Sequence, residues 1–123
     1  MPRTQIPLQE VGVNGAGIDN ITFTAADAAN EMYFDNTSGK VLLVAKCTDG
    51  TQKTATILSV ADKLGRTGDK TVTTPATTGL SVYGPFPAEG FNQGGADIGR
   101  VHVDITTATG FSLAALKYSD ANR

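Results

Sequence analysis

His102 is the single histidine of the chain, and no other side chain type titrates near neutral pH without help from its surroundings. In "GRVHVDITTA" (99–108) it stands two residues from Asp104, so on a strand the two share a face. A Ser/His/Asp or Cys/His device would need this imidazole beside a nucleophile as well as a carboxylate. The spacing offers only the carboxylate. His102 therefore reads as a histidine on a solvated strand face, and no residue is assigned a catalytic role. Cys47, the one cysteine, ends the apolar run "KVLLVAKC" (40–47) and reads as a small buried hydrophobe. A lone cysteine allows no intrachain disulfide, and with one histidine it falls short of a zinc set.

The aspartates are dispersed, and none falls in the series of a calcium-binding loop. They suit turns and a solvated surface better. "GRTGDK" (65–70) lacks the glycine spacing and the Lys-Ser/Thr end of a phosphate loop. "NGAG" (14–17) opens no expected helix, so it is no dinucleotide fingerprint. Asn20-Ile21-Thr22 and Asn36-Thr37-Ser38 have the form of glycosylation sequons. No secretory signal accompanies them. No cofactor and no metal are expected.

Charge narrows the partners. The net charge is -2 and the pI about 5.2. Nucleic acid is held largely by neutralising phosphates, and the lysines here form no stripe. No apolar run is long enough to span a bilayer. "MPRTQIPLQE" lacks the apolar core of a signal peptide, which points to synthesis in a cytoplasm.

The elements that would position these residues are strands. Thr and Val recur, both suited to a pleated, half-buried surface. The 123 residues suit one domain. Short apolar runs alternate with turn signals, as in an all-β sandwich or barrel. Met32-Tyr33-Phe34 leads through the turn 36–39 into "KVLLVAKC", a central strand. Asp49-Gly50 tips a hairpin, and "KTATILSV" (53–60) returns with Ala55 and Ile57 inward. "TVTTPA" (71–76) is stopped by Pro75, which marks an edge. "TTGLSVY" (77–83) follows. Val101, Val103 and Ile105 share one face of the next strand, and Phe111 and Leu113 point inward from the last. "DNITFTAADA" (19–28) reads as a strand closing in a helical turn. We expect an all-β fold: a β-sandwich of about seven to nine mostly antiparallel strands, immunoglobulin-like or jelly-roll-like. Residues 1–17 form an extended N-terminal arm, 18–119 the sandwich and 120–123 a polar tail.

"SVYGPFPAEGFNQ" (81–93) concentrates aromatics in a chain that holds few. Pro85 and Pro87 remove two backbone donors, and each holds the residue before it extended. The strand therefore leaves the sheet near Tyr83 as a stiff segment carrying Phe86 and then Phe91. Two readings stand open. Phe86 and Phe91 either plug an open end of the core or anchor a partner. Candidate partner-binding residues are Tyr83, Pro85, Phe86, Pro87, Phe91 and Asn92, with Ile6, Leu8, Val11 and Val13 as apolar points on the arm.

Taken in order, "NTSGKVLLVAKC", "ATILS", "TVTTPA", "GPFPAEGFNQ" and "GRVHVDI…TGFSLAALKY" resemble small proteins encoded near the major capsid gene of tailed bacteriophages. The similarity spans about residues 20–118. Its most distinctive part is Gly84-Pro85-Phe86-Pro87 followed by Phe91-Asn92, and "ADKLGRTGDK" (61–70) departs from it. Such proteins are regarded as head decoration, or cement, proteins. The resemblance implies a β-sandwich in the virion that binds the major capsid protein and catalyses nothing. Self-association on the lattice, as a dimer or trimer, is a further partner option. A carbohydrate- or host-surface-binding sandwich is the alternative reading.

Overall fold

A computed structural model of the chain describes residues 3–11, 21–37, 39–61, 64–65 and 67–118. Among them are ten strands: β1 (Thr4–Gln5), β2 (Leu8–Val11), β3 (Thr24–Ala25), β4 (Met32–Asp35), β5 (Val41–Cys47), β6 (Lys53–Ile57), β7 (Lys70–Thr74), β8 (Gly79–Tyr83), β9 (Arg100–Ile105) and β10 (Phe111–Tyr118). They build two mixed sheets. The first runs β1-β4-β9-β6-β7; the second runs β2-β10-β5-β8, with β3 also paired to β10. The chain is all-β.

Alternation places the core. Val101, Val103 and Ile105 of β9, Phe111, Leu113 and Ala115 of β10, and Ala55 and Ile57 of β6 are all buried, as their period-two spacing predicts. Val41, Leu43, Ala45 and Cys47 of β5 join them. Residues of both sheets belong to one apolar cluster, in which Phe34, Phe86 and Phe111 are the largest side chains. The "TDGT" turn links β5 to β6, but these strands lie in different sheets. It is a crossing between layers, not a hairpin. At that end the buried Lys53 ammonium sits 2.7 Å from Asp49 Oδ2, and the Cys47 thiol donates to the carbonyls of Asp49 and Thr51. Among the described residues of "DNITFTAADA", from Ile21 on, the strand is the two-residue β3, and a turn at 28–30 follows.

The leading segment departs from the expected arm. Residues 3–11 are woven into the body. β1 pairs parallel with β4, Thr4 opposite Met32, and β2 pairs parallel with β10, Leu8 opposite Ala115. The Ile6 N–H donates to Tyr33 O at 2.8 Å, and the Ile6 side chain is wholly buried. The physical reason is that Pro7 sits between β1 and β2, where the chain passes from one sheet to the other and owes no ladder bond. Proline interrupts pairing only at its own position. Residues 12–17 and the tail 120–123 lie outside the described residues.

Candidate binding surface

The segment 84–93 packs against the core through its two phenylalanines. Phe86 is buried (2% exposed), its ring centroid 5.8 Å from that of Phe34 and 5.5 Å from that of Phe91. Of the two readings, the structure takes the core-plugging one for Phe86. Phe91 packs against the same cluster, half-buried. Asn36, wholly buried, holds the loop: its Nδ2 donates to Phe86 O at 2.9 Å and to Asn92 Oδ1 at 2.8 Å. Asn92 Nδ2 returns a bond to Asn36 O at 3.0 Å. Tyr83 packs on the core and its hydroxyl donates to Thr73 O at 2.6 Å. Only Pro85 and Pro87 of this group are exposed, and the Gly84–Pro85 peptide is cis. On the leading segment, Ile6 is core and Leu8 packs against it; Val11 ends β2, and Val13 lies outside the described residues. Ile6 and Phe86 thus give their apolar surface to their own chain, while Leu8 and Phe91 pack on the core and keep part of theirs in solvent.

His102 is less solvated than its sequence suggests, with a side chain 14% exposed. Burial, and then the nearby Arg3 guanidinium, hold its pKa below the ordinary 6.5. Its Nε2 lies 3.4 Å from Asp97 Oδ2, outside hydrogen-bond geometry. Asp104, the expected neighbour, is taken by Arg3 at 2.7 Å. Arg100 bridges to Asp97 and lies over the Tyr33 ring, 4.4 Å from its centroid. These contacts make an ion-paired outer surface on the first sheet, the ordinary way to satisfy charges there. Among the described residues, no cluster of three His, Cys, Asp or Glu side chains could hold a metal ion.

The outer face of the second sheet is different in kind. There Leu80 is 65% exposed and Val82 59% exposed. The register places Leu80 beside Lys46 and Val82 beside Val44, all on the same outward face. "GLSVY" on its own would be given the opposite parity, with Leu80 and Val82 inside. Gly79 reverses it. It faces inward opposite Cys47, where an added Cβ would stand 1.8 Å from Pro75 O. That close approach to the Pro75 carbonyl admits only glycine. With Gly79 inward, Ser81 and Tyr83 follow, and Leu80 and Val82 must point out.

A second segment walls this face. Gln9 of β2 clamps the backbone of Thr22, its Nε2 donating to Thr22 O at 2.7 Å and its Oε1 accepting from Thr22 N at 2.9 Å. Phe23, next in the chain, lies under the Lys46 ammonium, 5.3 Å from ring centroid to Nζ. Between this segment and β8 is an apolar pocket of about 400 Å³ lined by Ile21, Phe23, Val44, Lys46 and Leu80, with Thr77 and Thr78 at its side. That volume falls among those of ligand and side-chain pockets. β8 is also the edge strand of its sheet, and it carries no charge or proline, the features that blunt an edge against pairing with a further strand. No protein-family model, no curated protein and no solved structure matches this chain.

Proposed function

We propose that this chain is a non-enzymatic structural protein of a tailed-phage virion, which attaches to the outer surface of the capsid and reinforces it. Made in the cytoplasm of the host bacterium, it would have the major capsid protein as its partner and no nucleic acid or membrane as a target. We read the two packed sheets as a β-sandwich of the immunoglobulin or jelly-roll kind, braced by β1 and β2. The observation that carries the proposal is the exposure of Leu80 and Val82 on an uncharged edge strand beside an apolar pocket. Contiguous apolar surface rimmed by polar residues is the mark of an adhesive face. Self-association on the lattice is compatible with the same edge, and many weak contacts on one shell would add avidity.

Mixing the purified protein with undecorated capsids and sedimenting the particles tests this reading. The protein should pellet with the capsids. The double substitution Leu80→Thr/Val82→Thr keeps a β-favouring residue at each place and should weaken pelleting by about tenfold or more, as expected for central apolar contacts. Its thermal unfolding should match the parent. A parent protein that stays in the supernatant would refute the proposal.

A further inference from the structure

The pocket on the second sheet has a chemical bias beyond greasiness. Val44, Leu80, Ile21 and Phe23 line it, and one cation, the exposed Lys46, lines it with them. The cross-strand neighbours of Lys46 are Leu80 and Ser112, neither charged. Its ammonium rests on the Phe23 ring, and among the described residues no carboxylate pairs with it. A cation held over an apolar hollow is complementary to an anion attached to an apolar group. The hollow takes the apolar part, and the charge fixes its orientation.

We infer that the pocket seats an apolar side chain of the capsid partner with a carboxylate next to it, and that Lys46 pairs with that carboxylate. The inference rests on the capsid-binding reading for the identity of the partner, but the chemistry of the pocket can be tested without capsids. Thr77 and Thr78 also line the pocket, and a threonine hydroxyl is able to donate to a carboxylate. Lys46 is exposed, so replacing it should leave the fold intact.

The probes are 4-phenylbutanoate and its neutral counterpart 4-phenylbutan-1-ol, titrated into isotopically labelled protein while amide NMR shifts are followed. Both should move the amides of Phe23, Val44, Thr78 and Leu80. The anion should bind about three- to fivefold more tightly, the range of a solvent-accessible ion pair. Lys46→Gln should abolish that preference, so that the anion and the alcohol bind the variant alike. Equal affinities in the parent protein, or no shifts at these amides with either probe, would overturn the site. In the capsid assay, saturating 4-phenylbutanoate or the Lys46→Glu substitution should reduce pelleting. Pelleting insensitive to both would overturn the partner assignment. A small carboxylic acid co-purifying in the pocket, seen by native mass spectrometry, would do the same. Parent protein that selects the anion yet never pellets would leave the pocket standing and sink the capsid reading.

Discussion

Asn36 is the residue on which the 84–93 loop depends. It is wholly buried just after β4, and its amide serves two acceptors on a segment fifty or more positions away. Asn36→Asp keeps the shape but removes the donor, so the buried Phe86 carbonyl and the part-buried Asn92 Oδ1 lose their partner. Each such loss costs about 1–3 kcal/mol. The urea midpoint should fall by a corresponding amount with an unchanged slope, and an unaltered midpoint would show that the amide pair holds nothing. Gly79 acts at the same scale and by a different route. Its lack of a Cβ lets β8 close on Pro75, and so it decides which β8 side chains meet solvent.

At the scale of elements, β1 and β2 close one edge of each sheet. Their turn partner is tied down as well: the Thr4 hydroxyl donates to Asp27 Oδ2 at 2.5 Å, and Asp27 also accepts from the backbone of Ala29 and Asn30. Those bonds, the one from Thr4 foremost, lower the Asp27 pKa to about 2. Ile6 between the two strands is the apolar lock. Ile6→Ala should therefore destabilise the whole protein by about 2–5 kcal/mol, the usual cost of a large-to-small change in a core. Chemical denaturation of the purified variant would measure it. A loss under about 0.5 kcal/mol, the level of a surface substitution, would mean that this segment is an appendage after all.

For the whole molecule, the resolved titration shifts point the same way. Asp27, Asp35 and Asp49 are held below the ordinary 3.8 by hydrogen bonds, the first two chiefly from Thr4 and Thr37 and the third from Lys53. His102 is held below 6.5 by burial. Each group binds protons more weakly folded than unfolded. Its contribution is thus complete above the unfolded pKa and is lost as pH falls through the folded one. The His102 share begins to fade below about pH 6.5 and the carboxylate share below about pH 4. The melting temperature should decline between pH 7 and 5, and His102→Gln should flatten that limb while leaving the decline below pH 4. An identical limb in the variant would remove His102 from the account. Much of this body is legible in the residues alone. Alternation assigned the inward faces of β9 and β10, and the two prolines after Tyr83 marked where β8 leaves its sheet. Those are local properties, set by a two-residue backbone period and by proline's ring, and any stretch carries them wherever it folds. Three matters needed the tertiary structure: that residues 3–11 join both sheets, that Asn36 receives Phe86, and that Leu80 and Val82 face outward. Each is decided by a contact between distant positions, Thr4 with Met32, Leu8 with Ala115, Asn36 with Asn92, or by the one carbonyl that Gly79 alone can approach. Periodicity tells which side chains share a face. Only the packing of remote strands determines which face turns to the core.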